Sequence, residues 1–290
     1  MQPVFLSGSE VSAAARSGRD LYLLDQALVL RPGAQAGLFE GQTHAGWANM
    51  VGPYGGITAA LMVQAVMQSQ CLGEPVSLTV NFAAALKDGP YRIVARAVRT
   101  NRATQHWILE LTQTLEGAQA IMATATVVTA LRREVWHRQD LSLPSVPAPE
   151  TIAPVRLFDE VEWVNRYEFR LLEGGVPQAW DDTERDSQTR MWLRDAQDRA
   201  LDLKAIACMS DAFYPRIWLR RAKRVPTGTV SLSLFFHAGE QELAALDDPH
   251  VYGQARAQDF RHGFFDQTAH FWSRSGLLLV SSHQIVYYKE

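Results

Sequence analysis

Asp211 closes the apolar run IACMSDAFYPR (206–216). A carboxylate at such a place has two readings. It can bond nearby backbone groups as a turn or cap residue. It can also sit partly buried, where desolvation raises its pKa toward the working range of a general base. Just downstream lie Arg216, Arg220, Arg221, Lys223 and Arg224. This cluster reads either as a solvated loop or as a docking site for a phosphorylated ligand, with Arg220 and Arg221 nearest its centre. In the other half of the chain, GPYGG (52–56) precedes a helical pattern. Gly55 and Gly56 would then place free N–H groups at the positive end of a helix, able to bind a carbonyl oxygen or a phosphate. The alternative is that these glycines only permit close packing. Trp47 is a candidate lining residue of the same pocket, against its other reading as core. RHGF (261–264) is a weaker backbone donor candidate.

Other chemistries lack their residues. There is no GxSxG, GxGxxG, P-loop or HExxH pattern. The eight histidines are scattered, and His283, beside Gln284, points to the opposite strand face. Cys71 and Cys208 form no CxxC pair, so no metal or redox site is expected and a reducing, cytoplasmic setting fits. A net charge of −3 argues against a nucleic-acid partner. No apolar run reaches the ~20 residues of a membrane helix, and MQPVFLSGSE has no signal-peptide pattern.

The chain must position these residues with two similar halves. LPSVPAPETIAP (143–154) reads as a proline-rich linker, which sets expected domains of 1–142 and 155–290. VSLTVNF (76–82) matches VSLSLFF (230–236), ARAVRTNR (95–102) matches ARAQDFRH (255–262), and GAQAIMATATVV (117–128) matches GLLLVSSHQIV (276–286). Three pairings in one order at nearly constant offset indicate a duplicated domain. In the first half, residues 21–30 read as a strand, 52–73 as a helix apolar almost all round, and 75–130 as four strands. The second half repeats that order. So many consecutive strands exclude parallel βαβ units and call for an α+β architecture, an antiparallel sheet wrapped round a buried helix, twice. Edge strands of the two halves can pair, which removes exposed edges.

The segments WANMVGPYGGITAA (47–60), PVSLTVNF, DLKAIACMSDAFYPR, PTGTVSLSLFFH and GLLLVSSHQ, in this order, resemble the double-hotdog acyl-CoA thioesterases of the thioesterase II type. The resemblance runs from about residue 20 to the end. It implies a site made of an Asp at the end of the second-half helix, a Thr on the next strand and a Gln on the last. These fall on Asp211, Thr229 and Gln284, with Thr227 competing for the hydroxyl. In that family the three groups aim a water at the thioester carbonyl. The division of labour is chemically sound: the carboxylate can accept a proton, while a hydroxyl and an amide can only orient. The first-half helix carries no acid, and Thr126 stands where the repeat would place Gln284. A single site in the second half is therefore expected, with the first half as wall.

The resemblance implies hydrolysis of acyl-CoA to a carboxylic acid and CoA, without metal or other cofactor, in a homodimer or larger homo-oligomer. The alternatives are an enoyl-thioester hydratase on the same fold and a non-catalytic acyl-CoA binder.

Overall fold

A computed structural model describes residues 21–290. The N-terminal stretch MQPVFLSGSE lies outside them. The first half comprises α1 (Leu23–Ala27), β1 (Arg31–Pro32), β2 (Leu38–Gln42), α2 (Gly55–Gln68), β3 (Glu74–Phe82), β4 (Pro90–Thr100), β5 (Thr104–Leu115) and β6 (Ala118–Ala130). The second comprises β7 (Tyr167–Glu173), β8 (Thr189–Asp195), α3 (Leu203–Met209), α4 (Arg216–Arg221), β9 (Thr227–Phe236), α5 (Glu240–Ala244), β10 (Val251–Arg256), β11 (Phe260–Arg261), β12 (Phe264–Ser273) and β13 (Leu278–Tyr288). All strand pairs are antiparallel, in the order β1-β2-β4-β5-β6-β3-β9-β13-β12-β10-β8-β7, with β11 beside β12. The α+β double-hotdog class is thus met, and the two halves share one sheet.

The seam is β3 against β9, from Ser77 opposite Phe235 to Asn81 opposite Ser231. These are the strands that carry VSLTVNF and VSLSLFF. Thr79 and Ser233 share a hydrogen bond of 2.9 Å across it. Pairing here gives each half's central strand a full complement of backbone partners.

Inside the curved sheet, α2 buries Ile57, Leu61, Met62, Val63 and Val66 on nearly all sides. Its Ala, Leu, Met and Gln content favours helix. α3 (Leu203–Met209) is buried except at Lys204. Its start is capped within its own half: Asp202 accepts from Ala205 N at 2.7 Å, and Glu240 accepts from Leu203 N at 3.3 Å. The two helices meet where the start of α2 touches the end of α3. A Cβ on Gly56 would stand 2.2 Å from the Cys208 carbonyl oxygen, so only glycine fits that approach.

Two sequence expectations change. Within residues 21–30, Leu23–Ala27 form a short helix in place of a strand, because Leu24, Ala27 and Leu28 recur at helical spacing and are buried together. Part of the basic cluster expected as a loop is α4, held by burial of Ile217, Trp218 and Leu219. The chain around the proline-rich linker lies along the second half. Trp272 Nε1 donates to Leu141 O at 3.1 Å and Trp192 Nε1 to Pro147 O at 3.0 Å.

Candidate active site

Asp211 follows α3 by two residues and faces the start of α2. It therefore sits at the negative end of one helix and the positive end of the other. The second environment supplies a bond, since the carboxylate accepts from Gly56 N–H. Gly55 is also close: a Cβ there would lie 2.7 Å from Asp211 Oδ2. The approach is fixed by Tyr54, whose hydroxyl donates to Cys208 O at 2.8 Å. Tyr54 is clamped by stacking on Trp163, with ring centroids 4.2 Å apart.

The sheet completes the group. Gln284 Nε2 on β13 donates to Asp211 Oδ1 at 2.9 Å. Thr229 Oγ1 on β9 donates to Gln284 Oε1 at 3.4 Å. One orientation of the amide satisfies both bonds, so the carboxylate, amide and hydroxyl form a chain of fixed polarity. Protein atoms crowd Asp211, and only its pocket-facing side keeps partial exposure. Loss of solvent pushes its pKa up to about 7, while the bonds from Gln284 and Gly56 pull the other way.

Asp211, Thr229 and Gln284 open onto a pocket of about 140 Å³. Phe158, Trp163, Phe213, Trp218 and Phe265 contribute to its apolar wall. Arg224 and Glu160 also line it and pair with each other at 3.1 Å. The arrangement can hold a water between a carboxylate and two orienting groups, beside an apolar slot.

Residues 43–130 match the model of the acyl-CoA thioesterase N-terminal domain, and residues 139–288 match that of the acyl-CoA thioesterase C-terminal domain. The chain belongs to the acyl-CoA thioesterase II-type, double-hotdog family. A conserved hot-dog-fold protein of unknown function from Alicyclobacillus acidocaldarius is 38% identical, with a TM-score of 0.86 over 93% of this chain and 99% of that one. A putative thioesterase II from Thermobifida fusca is 19% identical, with a TM-score of 0.75 over 92% and 97%. The tesB protein of Mycobacterium avium subsp. paratuberculosis is 18% identical, with a TM-score of 0.72 over 92% and 98%. At those lower identities the likeness is one of fold. No functionally curated protein matches the chain.

Within this thioesterase-family fold, several expected binding residues stand elsewhere. Trp47 is 1% exposed, does not line the pocket, and donates to Leu23 O at 3.2 Å, so it packs behind Tyr54 as core. Gly56 N–H is engaged by Asp211 and is not a free donor. Arg220 and Arg221 line a separate groove. Arg220 bonds Arg185 O at 2.6 Å and Glu184 at 3.2 Å, and Arg221 holds Asp182 with two bonds of 2.8 Å. The member of the basic cluster that lines the Asp211 pocket is Arg224. The RHGF segment forms the β11–β12 turn, and its His262 and Gly263 do not line the pocket. Thr227 lines it, but the hydroxyl that reaches Gln284 is Thr229's.

Sequence reading missed Tyr54, Gln267 and the aromatic wall. Gln267 had a usable signal. In FFDQTAHFWS it occupies the inward register of Phe265, Ala269 and Phe271, where only apolar residues belong. Among the described residues no group of three or more His, Cys, Asp or Glu is placed to hold a metal, and no helix is long and apolar enough to cross a membrane.

Proposed function

We propose that the protein hydrolyses acyl-CoA thioesters, with Asp211 as general base and Thr229 and Gln284 as the groups that position water. The observation that carries this reading is the 2.9 Å bond joining Gln284 to a desolvated Asp211 at the wall of an apolar pocket. The ionised carboxylate accepts a proton from water as the water oxygen attacks the thioester carbonyl carbon. The carbonyl electron pair moves onto oxygen, and the N–H of Gly55, at the positive end of α2, is the neighbouring backbone donor. Collapse of the tetrahedral adduct breaks the C–S bond. The departing CoA thiolate takes up the proton held by Asp211, which leaves free acid, free CoA and the starting carboxylate.

Substrate phosphates need cations, and Arg224 at the reacting pocket is better placed than Arg220 or Arg221. An enoyl hydratase on this fold would use an Asp and His pair, and the residues lining this pocket include no histidine. The reading places the enzyme in the cytoplasm, as a homodimer or larger. Outer-face apolar side chains such as Phe235, Phe264 and Ile285 support assembly through the sheet, and a monomer in sedimentation equilibrium would refute it.

The test is thiol release from short, long and aromatic acyl-CoAs by wild type and Asp211→Asn. Loss of roughly 10²-fold or more in the folded variant is expected. Equal turnover by both proteins would remove Asp211 from the reaction. Binding without turnover by either would make the protein an acyl-CoA binder.

A further inference from the structure

The segment LRREVWHRQD (131–140) joins the two halves, and residues 131–138 lie between the matched domains. It runs without helix, turn or bend, and Leu131 to Arg138 are all exposed. Both ends are fixed. At one, the Arg132 guanidinium pairs with Glu74 and donates to the carbonyls of Phe236, His237 and Ala238 at 2.8–3.2 Å. At the other, Gln139 bonds Gly276 O and Leu278 N, both at 2.8 Å. Between these anchors no backbone N–H or C=O from Arg133 to Arg138 has a hydrogen-bond partner among the described residues. An extended strap with an unpaired backbone is a template for another strand.

The side chains indicate which strand. Trp136 is 87% exposed and Val135 68%. Arg133 and Glu134 have no ion-pair partner among the described residues. An antiparallel copy centred on Trp136 sets Glu134 opposite Arg138, twice by symmetry, with Val135 opposite His137, Arg133 opposite Gln139 and Trp136 opposite itself. Alternate residues share a face, so both ion pairs flank the paired indoles on one side of the ribbon. Other registers fit less well. Centring on Val135 sets Arg132 against Arg138, and centring on His137 sets Glu134 against Asp140, like charge against like. A half-step either way leaves Glu134 without an opposing arginine.

We propose that the strap, residues 133–139, pairs with the strap of a second copy of this chain as an antiparallel ribbon about a twofold axis at Trp136. The contact gives a register to the homodimer read above, and it can fail while that homodimer stands. A stable dimer needs about 1,000 Å² of buried surface, more than two straps alone supply. The adjoining outer face offers the rest: exposed Phe235 directly precedes Phe236, whose carbonyl Arg132 holds.

The experiment uses the full chain and has two arms. In the first, single cysteines replace residues 134 to 138 in turn, in a Cys71→Ser background so that no partly exposed native thiol competes. Each protein is oxidised mildly and run on a non-reducing gel. Opposed residues of antiparallel strands have Cα atoms about 4.5–5.5 Å apart, within reach of a disulfide. Residue 136 alone is opposed to itself, so Trp136→Cys should give a covalent dimer and the other four should not. In the second arm, sedimentation equilibrium measures the dimer Kd. Glu134→Arg sets arginine against arginine twice and should raise Kd about tenfold or more, and adding Arg138→Glu should return it to within about threefold of wild type. Every altered side chain is exposed, and thermal melting checks that each variant folds. Cross-linking at a position other than 136, or a loss that the double variant does not restore, overturns the register and with it the proposal. A wild-type dimer with no cross-link and no charge effect overturns the strap contact and leaves assembly to the sheet face. A wild-type monomer overturns both.

Discussion

Replacing Asp211 by Asn should make the protein more stable as well as less active, and the stability gain should depend on pH. Loss of solvent raises the Asp211 carboxyl from 3.8 to about 7 in the folded protein. The folded state therefore favours the protonated acid more than the unfolded chain does. Any relative stability this gives is fully present below about pH 4 and is lost as pH rises through about 7. At 1.36 kcal/mol per pKa unit, ionising Asp211 destabilises the native state by roughly 3–4 kcal/mol at pH 8. Asn removes the ionisation. It also loses one of the two accepted bonds, since the amide nitrogen that replaces one carboxylate oxygen accepts no hydrogen bond; that loss, about 1 kcal/mol, is independent of pH. The difference in Tm between variant and wild type should thus rise by about 6–8 °C between pH 4 and pH 8, at about 2 °C per kcal/mol for a chain of this size. Differential scanning calorimetry of the two proteins side by side measures this difference, because titration of all other groups is common to both. A difference that stays flat over this range would refute the desolvated carboxylate and with it the tuned base.

The same ionisation should govern catalysis: kcat/KM should fall about tenfold per pH unit below a midpoint near 7 and level off above it, with no such limb in Asp211→Asn; a midpoint near 4 would mean that Asp211 is not the base. Thr229→Val should lower kcat at least tenfold while Thr227→Val leaves it within about threefold, because Thr229 alone reaches Gln284; the reverse order in steady-state assays would reassign the hydroxyl. Gly56→Ala places a Cβ 2.2 Å from the Cys208 carbonyl oxygen, which no rotamer relieves; a loss of about 3 kcal/mol is expected in urea unfolding, and an unchanged midpoint would show that α2 and α3 tolerate separation. Arg224→Gln should raise KM for CoA esters more than for short non-CoA thioesters, while the Arg220→Gln, Arg221→Gln pair does so less; equal effects would move the phosphate site to the α4 groove.

The grouping of Asp211, Thr229 and Gln284 was legible through the family resemblance, and Asp211 also through its place after a regular element. Asp211 closes an apolar helix, and Gln284 lies on a strand whose partner in the repeat is easily aligned. The choice between Thr227 and Thr229 was not legible. Both share one face of β9 by alternation, and the bulge between Ile285 and Val286 sets how β13 meets them. A bulge is a property of two strands together and leaves no mark on either alone. Arg220 and Arg221 misled for a related reason. They are near Asp211 in sequence, but their acids, Asp182 and Glu184, come from a distant loop that no local pattern announces. Trp47 misled because sequence proximity to GPYGG does not say whether the indole faces the pocket or the core behind it.

The capped start of α3 has a consequence for how this molecule can change. The duplication should have made two equivalent sites related by a pseudo-twofold axis through the seam. At one, the helix start faces a carboxylate supplied by the opposite half and opens to a pocket. At the other, Asp202 and Glu240 take the helix N–H groups within the second half itself. The symmetry is broken by which side chain answers each helix dipole. At the capped end the halves are tied by polar bonds, Arg199 to Asp25 at 2.7 Å and Glu240 N–H to Glu74 at 2.9 Å, whereas at the open end Gly55, Gly56 and Asp211 fit directly against one another. A change at any of these three must be answered in the opposite lobe, so the two lobes of the open site can only evolve as a pair.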